Sequence, residues 1–225
     1  ISDTFATVSS PLFTLVMPVF LGEYAGNYGR SATDREAKLM RAINSVVGQT
    51  FQGWELVIVA DGCDATWALR DRILAMDPRI RLFRISKQRI WSGMPRSIGI
   101  HMGTGRYVRY IDSDDMLGRD DLSTLAQGLE AAGMPELALC SDFVRVDDQW
   151  HERLAVQTRA NGIGCSNIVV VCDHRAFWPE IVYRHPSNGY DHDRQYFRHL
   201  CQHFKPVHIT GGQYYVMHVP RQYDL

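Results

Sequence analysis

Three runs of apolar, aromatic and β-branched residues constrain this chain more than any other feature. They are Leu12 to Val19, Trp54 to Ala60 and Arg106 to Ile111, and the second and third end abruptly at acidic residues. Runs of this kind mark strands buried on both faces, the pattern of a parallel sheet. Parallel strands need long crossovers, and the intervening segments have helical periodicity. After Asp34, a candidate cap, Ala37, Met40, Ile43, Val46 and Val47 recur at helical spacing until Gly48. A second helix is expected from about Ala65 to Met76, stopped by Asp77-Pro78. Gly93 to Met102 reads as a short helix, Arg119 to Ala132 as an amphipathic one and Tyr190 to Phe204 as a late one. Further strands are expected at Ile80 to Ile85, nearer an edge, and at Leu137 to Val146, Asn167 to Val171 and Gln213 to His218. The alternation predicts an α/β fold with a mostly parallel, doubly wound sheet and right-handed crossovers.

In such sheets ligands bind outside the carboxyl ends of the strands. The third run ends in Asp112, Asp114 and Asp115, three carboxylates within four positions. Like charges crowded this closely repel one another. A hard divalent cation, Mg²⁺ or Mn²⁺, offsets them and commonly shares its shell with substrate phosphates. The cluster is therefore a candidate metal–diphosphate site; the alternative is a solvated acidic turn capping the next helix. Asp61 closes the second run, so it and the cluster can face one crevice although far apart in sequence.

The 225 residues suit a single α/β domain, read as a nucleotide-binding half at about 12–115 and a substrate-binding half at about 116–225. With 24 basic and 25 acidic residues the chain carries no nucleic-acid footprint and no polybasic membrane patch. No apolar run approaches the ~20 residues of an integral membrane segment. No secretory signal is visible, and the chain opens at Ile1 rather than Met, as a trimmed or processed chain would. Cys63, Cys140, Cys165, Cys172 and Cys201 are odd in number and form no C-x-x-C pair. That usage fits reduced thiols and a cytoplasmic location.

In this order the segments resemble the family 2 glycosyltransferases of GT-A fold. Leu15-Val-Met-Pro-Val-Phe20 is similar to the family's opening strand and Pro-x-Tyr turn. Arg41-Ala-Ile-Asn-Ser-Val-Val-Gly-Gln-Thr-Phe51 is similar to its helix ending in Gln-Thr-Phe/Tyr. Trp54-Glu-Leu-Val-Ile-Val-Ala-Asp-Gly62 stands where the family usually has Asp-Asp-Gly-Ser, and Arg96-Ser-Ile-Gly-Ile100 resembles its Arg-Asn-x-Gly segment. Gly105-Arg-Tyr-Val-Arg-Tyr-Ile-Asp-Ser-Asp-Asp115 resembles its Gly-x-Tyr-Ile…Asp-Ser-Asp-Asp. The chain departs from the pattern in a longer first loop, about Leu21 to Arg35, in Ala60 for the first Asp of the pair, and in Cys63 for Ser.

The resemblance implies a Rossmann-like three-layer α/β/α sandwich, a nucleotide-diphospho-sugar donor and a divalent metal, Mn²⁺ or Mg²⁺. It implies donor-nucleotide contacts from Pro18, Phe20, Asp61, Arg96, Asp112 and Asp114. Metal ligation would fall to Asp114 and Asp115, joined by His218 of the Tyr214-Tyr-Val-Met-His218 segment, which is similar to the family's late Tyr-Arg-x-His. The catalytic base resembles the acid that opens a late helix, and here both Asp191 and Asp193 qualify. Trp91, the loop Glu23 to Tyr28 and Cys165-Ser-Asn167 could face the acceptor sugar, since aromatic faces stack on sugar rings; the alternative for each, and the more common one, is a structural role.

The expected function is metal-dependent transfer of a sugar from a nucleotide donor, UDP-sugar first, to a hydroxyl acceptor, with inversion as the first expectation and retention open. The acceptor could be a sugar, a lipid-linked glycan or a protein; contact peripheral to the membrane would suit a lipid-linked one, but no segment signals it. Two other readings stand beside this. A sugar nucleotidyltransferase usually places a Gly-rich basic loop after its first strand, and Pro18-Val-Phe-Leu-Gly22 has no basic residue. The other is a nucleotide-sugar-binding module without turnover.

Overall fold

The computed structural model describes residues 10–23, 34–88, 92–146, 149–152, 163–180 and 192–216. Eleven strands lie among them: β1 (Phe13–Val19), β2 (Trp54–Asp61), β3 (Ile80–Ile85), β4 (Tyr107–Tyr110), β5 (Met116–Leu117), β6 (Leu137–Leu139), β7 (Phe143–Val146), β8 (Gln149–Glu152), β9 (Ile168–Val171), β10 (Pro206–His208) and β11 (Tyr214–Val216). The α-helices are α1 (Arg35–Val47), α2 (Asp64–Ala68), α3 (Arg70–Leu74), α4 (Gly93–Met102), α5 (Asp121–Ala131) and α6 (His192–His203).

The central sheet has seven strands in the order β10-β6-β9-β4-β1-β2-β3. Strands β1, β2, β3 and β4 are mutually parallel, as are β6 and β10, while β9 runs antiparallel to both β4 and β6. Alternate residues of a strand face opposite sides, and the core divides accordingly. Phe13, Leu15, Met17, Leu56, Ile58 and Tyr107 pack under α1, α3 and α5, while Val16, Val108 and Tyr110 pack under α4 and α6. This is a three-layer α/β/α sandwich. On the second face α4 approaches β1 closely, because a Cβ on Gly99 would lie 2.3 Å from Val16 Cγ1.

A four-stranded second sheet, β5-β11-β7-β8, adjoins the first. Its existence corrects one expectation. Leu137 to Val146 is not one strand: β6 joins the central sheet, the chain turns at Cys140 to Asp142, and β7 joins the second sheet. The helix expected at Ala65 to Met76 is interrupted at Leu69 (φ −86°, ψ 0°), which separates α2 from α3. Asp34 starts α1 through its carbonyl, bonded to Lys38 N–H at 3.0 Å; its side chain does not cap the helix.

The Gln-Thr segment after α1 holds the chain that follows the acid cluster. Gln49 is buried; its amide donates to Gly118 O (2.6 Å) and accepts from Leu122 N–H (3.0 Å). At the opposite end of the sheet, buried Glu55 on β2 accepts from the hydroxyls of Thr14 (2.7 Å) and Thr104 (3.0 Å) and pairs with Arg81 (2.5 Å). Burial works to raise its pKa, but the Thr104 N–H, the Thr14 hydroxyl and Arg81 outweigh it, so the carboxyl titrates below its ordinary value. A depressed folded-state pKa contributes stability above the unfolded value and loses it as pH falls through the folded one. In urea titrations Glu55→Gln is expected to lose about 2 kcal/mol at pH 7 and to depend less on pH below 5 than the wild type. Equal slopes would contradict this.

Candidate active site

Strand order reverses between β1 and β4, and a doubly wound sheet opens a crevice at such a point. Pro18 explains how it opens here. The β1–β4 ladder ends with Val16 opposite Tyr110, then Ile111 N–H to Val16 O at 3.1 Å. Pro18 lies beyond it, paired only with Val59 of β2, where the missing N–H breaks no bond to β4.

On one side of the crevice, Asp61 ends β2. Gly62 follows at φ +65°, and a Cβ there would lie 2.2 Å from the Lys87 nitrogen, so glycine lets the segment after β3 cross close by. Asp61 accepts from Lys87 Nζ (2.6 Å) and from Gln88 N–H (2.7 Å). The same ammonium sits 4.4 Å from the centroid of the Phe20 ring. Phe20, Asp61 and Lys87 therefore form one shelf with an aromatic face, a buried carboxylate and a half-exposed cation.

On the other side, Asp112 to Asp115 form a turn closed by Asp115 N–H to Asp112 O at 3.2 Å. Asp115 is buried and its Oδ2 accepts from the Tyr214 hydroxyl at 2.8 Å. The same phenol oxygen accepts Asp112 N–H at 3.0 Å. Burial and then the Asp115 and Asp112 charges keep the Tyr214 pKa well above its ordinary value, so it stays protonated and donating. Asp114 accepts at its carbonyl from Arg41. Burial, then the Asp112 charge, pushes the Asp114 carboxyl up to about 6.

Arg96, on α4, is 3 % exposed and joins this turn to the start of α6. It donates to Asp112 Oδ1 at 2.6 Å, lies 3.3 Å from His192 Nε2 and 4.0 Å from Asp193 Oδ1, and stacks 5.0 Å from the Trp178 ring. Asp193 accepts from Cys165 N–H at Oδ2 (3.2 Å), and its Oδ1 meets the Cys165 thiol (2.9 Å) and His192 (3.0 Å). Burial would raise the Asp193 pKa, but His192, Arg96 and the Cys165 hydrogen bonds lower it below its ordinary value. Behind them Trp178 stacks on Tyr196 at 3.9 Å.

The fold thus gathers Pro18, Phe20, Asp61, Arg96, Asp112, Asp114, Asp115 and Asp193 at the carboxyl side of the sheet. Asp191, His218, Trp91 and the loop 24–28 lie outside the described residues. Lys87 and Tyr214 were not expected. Lys87 lies just past a strand's carboxyl end, a position that could have marked it; no local signal pairs Tyr214 with Asp115.

Adjacent carboxylates on a crowded acidic turn, one of them pushed up in pKa by burial and then by its neighbour's charge, offer a hard oxygen set suited to a divalent cation. Among the described residues no three His, Cys, Asp or Glu side chains form a group that could hold a metal. Asp114 and Asp115 would bring carboxylates to such a site, with phosphate and water sharing the shell, as is usual for Mg²⁺.

The fold and the site together define a GT-A type α/β/α architecture with an acidic turn at the switch point of its sheet. The model of Glycosyl transferase family 2 matches residues 31–160, more than half of the chain, and the chain belongs to that family. An uncharacterized glycosyltransferase of Haemophilus influenzae is 28% identical over 116 residues, covering 51% of this chain and 41% of that protein. Succinoglycan biosynthesis protein ExoO of Rhizobium meliloti is 38% identical over 110 residues, covering 48% and 31%. The chain thus spans less than half the length of these relatives. Among solved structures, S. aureus TarS 1–349 in complex with UDP-GlcNAc superposes with a TM-score of 0.66 at 14% identity, covering 92% of this chain and 59% of that one. Among the described residues no helix is long and apolar enough to cross a membrane.

Proposed function

We propose that this chain transfers a sugar from a nucleoside-diphosphate donor to a hydroxyl acceptor, with inversion at the anomeric carbon. The observation that carries this reading is the pairing of the Asp61 shelf with the Asp112–Asp115 turn at one switch point of the sheet. A nucleotide base lies against Phe20 and gives an N–H to Asp61, with Lys87 as the counter-charge. Asp112, held by Arg96, faces the ribose. Asp114 and Asp115 hold the divalent cation, which when bound neutralises the leaving diphosphate. His218 belongs to this assignment as a further ligand.

Inversion needs one carboxylate to take the acceptor proton as its oxygen attacks C1 and the C1–O bond to the diphosphate breaks. Both oxygens of Asp193 are engaged by Cys165 and His192, which suits an anchor for the start of α6. Asp191, two residues earlier, is the proposed base. UDP is the proposed nucleotide, on the UDP and UDP-GlcNAc complexes of TarS. The relatives named for succinoglycan and colanic acid biosynthesis support a polysaccharide or glycoconjugate product.

A ligand that binds only the native state raises its stability, by about 2.7 kcal/mol at a hundred times Kd. For a chain of this length that is about 5–10 °C in Tm. Melting curves with UDP, GDP, CMP and dTDP, each with Mn²⁺ or EDTA, should show such a rise with one nucleotide, reduced in Asp61→Asn. No rise with any of them would overturn the reading. Binding without hydrolysis or transfer over a broad acceptor set would leave a binding module in its place.

A further inference from the structure

Tyr214 sits 99 positions from Asp115 in sequence and closes the acid turn from behind. Its hydroxyl touches both ends of the turn, accepting from Asp112 N–H and donating to Asp115 Oδ2. The turn is closed by an internal backbone bond at 3.2 Å; from outside, Arg41 holds the Asp114 carbonyl and Arg96 the Asp112 carboxylate, and the phenol is the brace that reaches Asp115.

The brace is itself held rigidly. Tyr214 lies on β11, paired with β5 immediately after the turn, with Tyr214 opposite Leu117. The Arg109 guanidinium lies 5.1 Å from the Tyr214 ring centroid. Arg109 is fully buried and forms a two-pronged pair with fully buried Asp121, at 3.2 and 3.1 Å. Asp121 also accepts the N–H of Gln213, the residue before Tyr214. Core strand β4 therefore packs on the ring of Tyr214, and helix α5 holds the backbone just before it on strand β11. A buried ion pair contributes little net stability compared with well-packed apolar residues; its geometry here fixes the strand that carries Tyr214.

We propose that Tyr214 is a positioning residue that orients the Asp115 carboxylate toward a divalent cation, with the Arg109–Asp121 pair as its buttress. The assignment rests on the functional reading above. It makes Tyr214 an outer partner of a metal ligand, a class whose removal weakens metal affinity by about 10–100-fold. It also gives the second sheet a function, since β11 is the element that presents the phenol.

The test is Mn²⁺ titration of the wild type and Tyr214→Phe with UDP present, following the free-ion signal by electron paramagnetic resonance. UDP binding in EDTA serves as the control for the fold. Tyr214→Phe is expected to bind Mn²⁺ about 10–100-fold more weakly, with UDP affinity in EDTA unchanged. A purely structural role would weaken both together. Mn²⁺ affinity within about twofold of wild type would overturn the assignment. If the variant does not fold, site-specific 3-fluorotyrosine at position 214 keeps the ring and alters the donor strength of the hydroxyl; an unchanged Mn²⁺ affinity there would equally overturn it. Absence of any Mn²⁺ uptake by the wild type with UDP would instead sink the functional reading on which it stands.

Discussion

Asp121→Ala is expected to destabilise the protein by about 3–5 kcal/mol, the cost of stranding one member of a buried ion pair. Arg109 and Asp121 both have 0 % side-chain exposure. Without the carboxylate, the guanidinium keeps Ser166 O and the Cys140 sulfur as partners, and neither carries the opposing charge. The N–H of Gln213 loses its acceptor as well. Urea titration measures the loss directly, and a change under about 1 kcal/mol would show that the pair is not fully desolvated. Replacing both partners, Arg109→Met with Asp121→Leu, removes the stranded charge, and that double variant should lie closer to wild type than Asp121→Ala. If the Tyr214 assignment holds, the double variant regains stability without regaining full Mn²⁺ affinity.

Asp115→Asn should abolish the cation-dependent part of nucleotide binding and lower transfer at least about a hundredfold. A cation on the leaving group supplies several kcal/mol of transition-state stabilisation, and each 1.36 kcal/mol is tenfold in rate. The amide preserves the size of the side chain, so the fold should persist. EDTA on the wild type should reproduce the phenotype, and the variant should not respond to EDTA further. Full activity in EDTA would remove the cation from the mechanism. Transfer is followed as release of nucleoside diphosphate, and the anomeric configuration of the product distinguishes inversion from retention.

Much of the architecture could be read locally. The runs at Leu12, Trp54 and Arg106 became β1, β2 and β4, and alternation at Ile80 to Ile85 placed β3 correctly at the sheet edge. The break at Leu69 was not legible, because helical periodicity continues through it. Nor was the division of Leu137 to Val146, where both halves are strand-like and different sheets claim them. The two-residue β5 and the three-residue β10 are too short to leave a periodic signal.

The site divides in the same way. Asp61 and the Asp112–Asp115 cluster stood out because acidic residues ended apolar runs, and a parallel sheet brings such ends to one edge. What each acid touches was decided only in three dimensions: Asp61 meets Lys87, Asp112 meets Arg96, Asp115 meets Tyr214 and Asp193 meets Cys165. Periodicity along a chain reports which faces are buried, because burial of apolar area is nearly independent of which neighbour covers it. Hydrogen bonds and ion pairs depend on distance and angle to a particular partner. The sequence by itself therefore determined the family, the parallel sheet and the edge where chemistry could occur; the packing of the second sheet on the acid turn determined how those carboxylates are held.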